Sequence, residues 1–406
     1  GQSVTVVWDK IVVGGYSVAD SWVDVGTTVD VDVSLTYAFD GSNVVDGTVT
    51  INGYSATYQS GSTWRVTLTR SSVTSVLFDT VACSGNQYGI TSVDQNGASQ
   101  QVVWDQIEVV SYHVEDAWVN IGVEVAVDVT LQYSYDSTAV TDGSVTINGL
   151  SATHQSGGVW RILVTHNDVT MVDFDTVACS GNGRGITVVD QSGQHQQVVW
   201  DKIVVRSYYV ADTHVDVGTA VTIQVTLEYE YDDSDVTDGT VTINSLTATY
   251  TGSNGIWQIV VTENSATGTT YNNVACYGNV HGLTYVDQNS QSVTVIWDGV
   301  VISITDPIDQ RINVGENASG IVVTAVYAYD GSKYDGTVTL NSTVFSYNFA
   351  GRHGYTVSSV GGDDTYGISA IVTNDETFCI WDALIVRVDG PDDSRIDVGT
   401  AATGIQ

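Results

Sequence analysis

Cysteine is scarce in this sequence, which excludes a fold held together by many disulfide bonds. The chain has 406 residues and only 4 cysteines, whereas small secreted disulfide scaffolds carry several in each domain. Cys83, Cys179 and Cys276 each end a Val-Ala-Cys run at the same distance before a Trp-Asp pair, and Cys379 lies elsewhere. Because each repeat has one cysteine, none has a partner within its own repeat. We therefore expect buried free thiols, with intermolecular disulfide bonds as the alternative.

Positive charge is also scarce. The chain has 12 lysine and arginine residues against 47 aspartate and glutamate residues, which gives a net charge of -35. A surface this acidic repels other polyanions, so neither nucleic acid nor an anionic membrane is an expected partner, whereas metal cations are. The simpler interpretation is a solvated acidic surface that keeps a long chain soluble. Lysine-asparagine cross-links are not expected, because Gln106 and Gly299 hold the repeat position of Lys10 and Lys202.

Patterns that indicate a membrane span or a catalytic site are missing. No run of about 18 apolar residues occurs, so we expect no membrane insertion within this sequence. The 7 histidines recur at no repeat position, and they form no spaced pair that would indicate zinc or a nucleophile with its base. No glycine-rich phosphate loop leads from a strand into a helix. We therefore expect that the protein is not an enzyme.

One short stretch recurs along the whole chain. Residues 6–13 return almost unchanged at 102–109, 198–205 and 295–302, and more loosely at 379–386. The spacing of about 96 residues is far longer than a WD40 blade and matches a whole sandwich domain. Boundaries at the Trp-Asp pairs predict domains at 8–103, 104–199, 200–296 and 297–380, the closing strand of a preceding domain at 1–7, and the start of a further domain at 381–406. We expect the sequence to be cut from a longer repetitive chain.

Each repeat predicts strands and turns, with no helical period. Polar and apolar residues alternate at 30–37, 128–135 and 222–229, which is typical of half-buried antiparallel strands. Asp-Gly and Asn-Gly pairs between such stretches provide the positive φ angles that tight turns need. The sequence therefore predicts an all-β chain with about seven to nine strands in each domain.

The order of motifs within a repeat resembles a known family. Tyr-x-Tyr-Asp-Gly, Asp-Gly-Thr-Val-Thr-Ile-Asn-Gly, Ser-Ala-Thr-Tyr, Trp-x-x-x-Val-Thr and a closing Val-Ile-Trp-Asp are similar to the tandem immunoglobulin-like repeats of large prokaryotic, especially archaeal, cell-surface proteins. The resemblance covers the whole chain and implies tandem immunoglobulin-like β-sandwich domains outside the cell. No Cys-Trp-Cys core of an antibody domain is present, so the likeness is to the sandwich architecture.

The fourth repeat departs from its neighbours. It is shorter, lacks the Val-Ala-Cys run, and carries the glycosylation sequons Asn317-Ala318-Ser319 and Asn341-Ser342-Thr343. A sequence rich in Asn, Ser and Thr holds a few sequons by chance. Whether Asn317 and Asn341 are glycosylated is therefore left open at this point.

The repeats join without a flexible linker. The closing strand of one repeat, near 100–104, continues directly into the opening strand of the next, near 105–112. A continuous strand restrains the angle between two domains, so the sequence predicts a stiff, elongated array. The junction between one repeat and the next is called a seam. Four tryptophans lie at these seams, and we expect them to pack between domains rather than to stack on sugars. They are Trp8, Trp104, Trp200 and Trp297.

The seams are also where acidic side chains should meet, because sandwich topology places the first loop of one domain against the turns of the next. The first seam would gather Asp20, Asp24, Asp105, Asp136, Asp142 and Asp190. The second would gather Asp116, Asn120, Asp201, Asp232, Asp238 and Asp287, and the third Asp212, Asp298, Asp330 and Asp335. Carboxylates that meet without lysine or arginine repel one another or bind a hard cation, and calcium takes six to eight such oxygens. The alternative is that these aspartates cap turns through the backbone.

Two classes of function remain open. The first is structural: a segment of an extracellular filament, sheath or surface layer whose partners are other copies of itself or other cell-surface proteins. The second is a stalk that displays the binding domain of an adhesin. Near-identical repeats favour the first class, and the divergent fourth repeat favours the second. The fold alone does not decide between them.

The carboxylate arrangement generates the first prediction. If calcium is bound at the seams, with Asp105, Asp201 and Asp298 as central ligands, then a chelator should lower the melting temperature, because binding stabilises the folded state by mass action. Differential scanning calorimetry with and without chelator tests this. An unchanged melting temperature, together with an unchanged radius of gyration in small-angle scattering, would show that these aspartates are turn residues and surface charge.

Overall fold

The structure, a computed structural model, describes residues 2–385. Every helix or strand assigned in those residues is a β-strand, which confirms the all-β prediction. Among the described residues, no helix is long and apolar enough to cross a membrane. The chain divides into two compact units, Gly1–Lys202 and Ile203–Gln406, and each is described by itself. Most of the domain predicted at 381–406 lies outside the described residues.

The first unit begins with an immunoglobulin-like domain of ten strands. They are β1 (Ile11–Val18), β2 (Trp22–Asp24), β3 (Thr28–Tyr37), β4 (Thr48–Ile51), β5 (Tyr54–Ser60), β6 (Thr63–Thr69), β7 (Thr74–Phe78), β8 (Val81–Ser84), β9 (Val93–Asp94) and β10 (Gln100–Asp105). One sheet has the order β8-β4-β5-β6-β3-β1-β9 and the other the order β2-β10-β7. A single apolar core joins side chains from both sheets, including Val33, Trp64 and Trp104.

The second domain of this unit repeats the arrangement. Its strands are β11 (Ile107–Val114), β12 (Trp118–Asn120), β13 (Glu124–Tyr133), β14 (Ser144–Ile147), β15 (Leu150–Ser151), β16 (Thr153–Ser156), β17 (Val159–Thr165), β18 (Thr170–Phe174), β19 (Val177–Ser180), β20 (Val189–Asp190) and β21 (Gln196–Asp201). The sheet orders are β16-β17-β13-β11-β20, β12-β21-β18 and β15-β14-β19.

The second unit also holds two domains. The strands of the first are β22 (Ile203–Tyr209), β23 (His214–Asp216), β24 (Ala220–Tyr229), β25 (Thr240–Ile243), β26 (Leu246–Thr247), β27 (Thr249–Tyr250), β28 (Ile256–Thr262), β29 (Thr267–Tyr271), β30 (Val274–Tyr277), β31 (Val286–Asp287) and β32 (Val293–Asp298). The strands of the other, the fourth domain of the chain, are β33 (Val300–Ile304), β34 (Arg311–Asn313), β35 (Val323–Tyr327), β36 (Val338–Leu340), β37 (Gly351–Val360), β38 (Ile371–Asn374) and β39 (Glu376–Asp382).

The fourth domain is smaller and its core is divided. One apolar cluster lies around Ile302 and Tyr327, and a second around Tyr355 and Trp381. The sequon residue Asn341 already has a structural role here, because its side chain donates to the Gly354 carbonyl (3.3 Å) and accepts from the Thr356 amide (3.1 Å). Attachment of a glycan at Asn341 would replace one of the two hydrogens of this side-chain amide.

Side-chain alternation explains the strand at the centre of each sandwich. Along β3 the buried residues include Val31, Val33 and Leu35, while Asp32 points outward and pairs with Arg65 at 2.7 Å. Successive side chains in a strand point to opposite faces, so an alternating sequence places one face in the core and the other in water. The predicted period-2 pattern is therefore what positions this strand.

A tight turn after β4 shows how one asparagine fixes several strands. Asn52 and Gly53 both have positive φ (47° and 77°), which glycine and asparagine adopt more readily than other residues. The Asn52 side chain also donates to the Leu77 carbonyl at 2.7 Å and accepts from the Thr80 amide at 3.2 Å. The same contacts recur at Asn148 and Asn244. The turn residue therefore also ties β4 to the end of β7 and to the residues that lead into β8.

The cysteines are buried and unpaired, as predicted. All four are free and buried in the structure. Burial raises the pKa of the Cys83 thiol, which keeps it protonated and unreactive. Asn86, itself buried, donates to Cys83 Sγ at 3.5 Å and to the Ile90 carbonyl at 2.6 Å. The conserved spacing of cysteine in the repeats therefore reflects packing.

The seam tryptophans do not pack between domains, and that prediction is wrong for Trp104, Trp200 and Trp297. Trp104 is completely buried in the core of the domain that it closes, and its Nε1 donates to the Thr27 carbonyl at 2.9 Å. Trp200 occupies the same place in the second domain, with Nε1 on the Val123 carbonyl. Trp297 is likewise buried and bonds Thr219 in the domain that it closes. Trp8, in contrast, is 88% exposed.

This placement predicts the effect of removing a tryptophan. Trp104→Ala should lower the opening free energy of the first domain by about 3–5 kcal/mol, because it leaves a cavity in a packed core. Trp8→Ala is the matched control and should change it little. Native-state hydrogen exchange read by mass spectrometry reports each domain separately. Equal protection of first-domain peptides in both variants would contradict the assignment of Trp104 to that core.

Candidate functional site: the seam between consecutive domains

Within each unit, one residue separates the closing strand of one domain from the opening strand of the next. β10 ends at Asp105 and β11 begins at Ile107, and in the second unit β32 ends at Asp298 and β33 begins at Val300. The backbone therefore passes from domain to domain in almost continuous strand. So short a connection gives the joined domains little freedom to separate.

The aspartate that ends each closing strand bonds to the next domain. Asp105 Oδ1 accepts from the amides of Gln106 (2.9 Å) and Tyr135 (2.8 Å). Asp298 Oδ1 accepts in the same way from Gly299 (2.7 Å) and Tyr329 (2.8 Å). Both carboxylates are almost fully buried, and burial raises the pKa of Asp105. These aspartates fasten the strand end of one domain to a turn of the following domain.

A second carboxylate, at the end of the short strand beside the closing strand, forms a latch across the seam. Asp24 accepts from the Thr187 amide (2.7 Å), the Thr187 hydroxyl (2.6 Å) and the Val188 amide (2.9 Å). β2 pairs in parallel with β10, with Asp24 opposite Asp105, so the sheet itself presents the Asp24 carboxylate to the next domain. Hydrogen bonds to an ionised acceptor are stronger than those between neutral groups.

The latch recurs in the second unit. Asp216 accepts from the Ser369 amide (2.7 Å), the Ser369 hydroxyl (2.8 Å) and the Ala370 amide (2.8 Å). Thr187 and Ser369 hold the same position of the repeat, directly after a Gly-Ile pair. The recurrence in two separate units shows that the latch is a built feature of this repeat.

An arginine fills the first seam. The Arg184 guanidinium carbon lies 3.9 Å from the ring centre of Trp22 and 4.1 Å from that of Tyr133, so the guanidinium stacks between aromatic rings of two domains. Both its terminal nitrogens bond to Asp136, at 3.1 and 2.8 Å. Hydrogen bonding to Arg184 lowers the pKa of Asp136 to about 2. Arg184 also lies 3.8 Å from Asp105 Oδ2.

The seam in the second unit holds a different pair at the same two positions. His214 stands where Trp22 does and Tyr366 where Arg184 does, and their rings stack at 4.2 Å with an angle of 15° between the planes. Tyr366 meets the Tyr327 ring edge-on at 5.3 Å. The Tyr327 hydroxyl lies 2.6 Å from Asp335 Oδ1 and 2.7 Å from Asp364 Oδ2. The latch is thus the same in both units, while the stacked pair differs.

The other aspartates predicted as calcium ligands mostly cap turns. In the first seam Asp20 accepts from the Trp22 amide (3.0 Å), Asp142 from Gly183 (2.9 Å), and Asp190 from Ser192 (2.9 Å) and the Gln106 side chain (3.1 Å). In the third seam Asp212 accepts from His214 (3.0 Å) and Asp330 from Ser332 (2.8 Å). Asp335 also accepts from the hydroxyl of Thr365 (2.5 Å).

The residues predicted for the second seam are divided between the two units. In the first unit Asp116 accepts from the Trp118 amide (3.0 Å), and Asp201 from the Lys202 amide (2.8 Å) and the Trp118 indole (3.2 Å). In the second unit Asp232 accepts from Ser234 (3.0 Å) and Asp287 from Asn289 (2.8 Å). The remaining aspartate of this set, Asp238, lies near the buried Cys276. Burial, together with the charge of Asp238, raises the pKa of the Cys276 thiol.

One premise of the calcium prediction is wrong. The first seam was expected to gather carboxylates without a basic residue, but Arg184 lies among them. Among residues 2–385, no group of three or more histidine, cysteine, aspartate or glutamate side chains is arranged to hold a metal ion. Calcium binding stays a prediction, for the chelator experiment to decide.

Sequence reasoning missed Arg184 and its stacking partner Trp22. A signal was present in the repeat alignment. The position before the Gly-Ile or Gly-Leu pair carries Tyr88, Arg184, His281 and Tyr366. A position that varies among aromatic and basic residues within otherwise constant repeats points to a contact that differs from domain to domain.

Comparison with known proteins adds a fold likeness. No protein-family model matches the sequence, and neither does any curated protein. Among solved structures, the Escherichia coli adhesin FdeC shares 13% identity, with a TM-score of 0.30, over 71% of this chain and 96% of that one. Invasin, a bacterial integrin-binding protein, shares 12% identity, with a TM-score of 0.29, over 92% and 79%. An I-band fragment of titin shares 9%, with a TM-score of 0.29, over 71% and 95%. The fold assignment depends on the sheets and cores described above.

The latch generates a prediction about interdomain motion. Asp24→Ala removes three hydrogen bonds and should cost the first seam about 1–2 kcal/mol, because the acceptor is ionised but half-exposed. Spin labels at Ser55→Cys and Ser151→Cys, one on each domain, should then show a broader distance distribution by pulsed electron paramagnetic resonance.

Two further variants control this experiment. Asp24→Asn keeps an acceptor oxygen, as Asn120 does at the same repeat position, and should give an intermediate width. Asp168→Ala removes the same charge from an exposed turn and should leave the distribution unchanged. Equal widths in all variants would show that Asp24 does not restrain the seam.

Proposed function

We propose that this chain is a structural segment of an extracellular filament, sheath or surface layer, built from immunoglobulin-like domains that are fixed to one another. The observation that carries the proposal is the recurrence of one seam in two separate units. In each, a carboxylate accepts three hydrogen bonds from the next domain, and a single residue connects the strands. A chain that served only as a flexible tether would not need such a seam.

The seam chemistry suits a role under tension. To separate two domains, a force must break the latch and withdraw the Asp105 or Asp298 carboxylate from its backbone donors, all of which lie beside the covalent connection. In the first unit it must also unstack Arg184 from Trp22. These contacts are hydrogen bonds and stacking between preformed surfaces, so they re-form when the force is released.

The chemistry of the chain also suits an exposed location. A net charge of -35 keeps a repetitive polymer soluble. The four cysteines are buried, and burial raises their pKa values, which protects the thiols from oxidants. The proposed partners are other copies of this chain or other surface proteins, and the proposed role is not catalytic.

The divided core of the fourth domain supports the alternative of an adhesin stalk. Its two apolar clusters set it apart from the single core of the first domain. The array is therefore not uniform along its length, as a stalk that leads to a different binding domain would not be. A stalk needs the same stiff seams, so the two functions differ in what the stalk displays.

Immunogold electron microscopy of the cells that produce the protein tests the proposal. Gold should line filaments or a continuous surface coat at regular intervals. Label confined to the shafts of isolated projections with a distinct tip would favour the stalk. Label inside the cell would contradict both.

A further inference from the structure

The fourth domain lacks a hairpin that the other three domains have. In the first domain 22 residues separate β4 from β7 and form the hairpin β5–β6. This hairpin lies between β4 and β3 in the order β8-β4-β5-β6-β3-β1-β9. In the fourth domain only the ten residues 341–350 separate β36 from β37, and they contain no strand. The gap therefore arises in the middle of this domain.

The missing hairpin leaves two strand edges open. β35 holds the place of β3, because it pairs with the opening strand of its domain in the same way. β35 is the outer strand of the sheet β35-β33-β38, and β36 is the outer strand of the sheet β34-β39-β37-β36. In the other three domains, the amide at the position of Ala325 donates to a carbonyl of the hairpin at 2.8 to 2.9 Å. The fourth domain has no hairpin to accept from Ala325.

The two open edges border an apolar groove of about 440 Å³. Val323 and Ala325 of β35 line one side, Val338 and Leu340 of β36 line the other, and Tyr334 lies between them. The four aliphatic side chains are half-buried. Their counterparts in the first domain are at most 1% exposed, and they are Val33, Leu35, Val49 and Ile51. Apolar surface that the hairpin covers elsewhere is therefore in contact with water here, which costs free energy.

The outward face of β35 has also lost its polar residues. Val322 and Val326 stand where the other three domains carry aspartate, threonine, glutamine or glutamate, and Val322 is 53% exposed. Residues 320–328 contain no charged residue, whereas an exposed edge strand of a monomeric protein is usually protected by charge. A strand that is apolar on both faces and open along one edge is typical of a strand that pairs with another chain.

The open side of this domain is complementary to itself. Both edges border the same groove, so a two-fold axis between two copies sets β35 against β35 and β36 against β36. The chain carries a net charge of -35, so two copies repel one another wherever acidic surfaces meet. Among the described residues that line the groove, only Lys333 is charged. At this groove two copies can therefore approach without opposed carboxylates.

We propose that the open edge of the fourth domain pairs with the same edge of a second copy of this chain, so that the β35 strands of two copies form one continuous antiparallel sheet. The proposal rests on the structural function proposed above and names the surface through which copies meet side by side. Each copy then covers the groove of the other, as the hairpin covers this place in the other three domains.

The length of the free edge sets the register of the pairing. Lys333 already bridges Val326, so the free edge is residues 321–325. Antiparallel pairing centred on Val323 places Val322 opposite Thr324, and it directs every second side chain into the shared core. So short an edge gives weak association, on the order of tens of micromolar. Because added salt screens the repulsion between two acidic chains, association should strengthen as salt is raised.

Analytical ultracentrifugation of the 406-residue chain tests the proposal, from about 1 to 500 μM, which brackets the expected affinity. The weight-average mass should rise from 43.3 kDa and level off at twice that value. Val322→Asp should weaken association at least about tenfold, because it places carboxylates at the paired edge. The fold tolerates this change, since the first domain carries Asp32 at the same position.

The same substitution elsewhere is the control. Val260 is 64% exposed on β28 of the third domain, and Val260→Asp should leave association unchanged. A mass that stays at 43.3 kDa at all concentrations, a mass that passes twice this value without levelling off, or a dimer that Val322→Asp leaves intact would overturn the proposal. The first of these results would leave the edge to a strand of another protein.

A cross-linking experiment locates the contact. Two-fold pairing places Thr324 of the two copies diagonally opposite one another, about 7–8 Å apart, so Thr324→Cys should give a covalent dimer with a short bismaleimide. The four native cysteines are buried and should not react. Thr373→Cys lies on β38, at the opposite edge of the same sheet, and should stay monomeric. Equal cross-linking of both variants would contradict pairing through β35. None of these results bears on the cell-surface location, which the microscopy tests separately.

Discussion

The architecture depends on one dipeptide that belongs to two domains at once. Neighbouring residues of a strand point in opposite directions. In the closing strand, this places Trp104 in the core of the domain that ends, while Asp105 accepts hydrogen bonds from the domain that begins. Trp297 and Asp298 do the same in the second unit. Closure of one sandwich and attachment of the next are therefore achieved by adjacent side chains, so any disturbance of the strand end affects both.

This arrangement explains why the Trp-Asp pair is the most constant feature of the sequence. The tryptophan must fit a closed core, in which changes of volume are costly. The aspartate must accept two backbone amides while excluded from water, a position where an unpaired donor or acceptor would be destabilising. Few residues meet either condition. The stacking positions, by contrast, face a partner that varies with them, and they carry tryptophan and arginine in one unit and histidine and tyrosine in the other.

Much of the fold could be predicted from sequence because its causes are local. Alternation along residues 30–37 is enough to identify β3, and the Asn-Gly turn after β4 follows from the φ angles that asparagine and glycine tolerate. What could not be predicted is whether a buried side chain packs in the core of its own domain or between two domains. The pattern around Trp104 indicates burial equally well for an interdomain contact and for its own core. Only the pairing of β10 with β2 and β7 decides.

The sequence leaves the hydrogen-bond partners of the seam aspartates undetermined, and the reason is again physical. Topology places the aspartates near the seams, but the sequence does not show which groups donate hydrogen bonds to them. Asp24 and Asp216 receive backbone and hydroxyl donors, and Asp136 receives Arg184, which lies 48 residues further along the chain. A count of carboxylates and basic residues misses such donors, because backbone amides carry no formal charge and are present in every repeat.

The few basic residues have large effects because each is placed against several acceptors. Arg184 touches two aromatic rings and lies close to two carboxylates, whereas Arg65 and Arg161 each link neighbouring strands through Asp32 and Asp128. In a chain of this charge, a cation at a seam offsets the repulsion between the carboxylates around it. The latch contacts recur in both units, whereas the stacked pair differs between them, so the two kinds of contact can change independently.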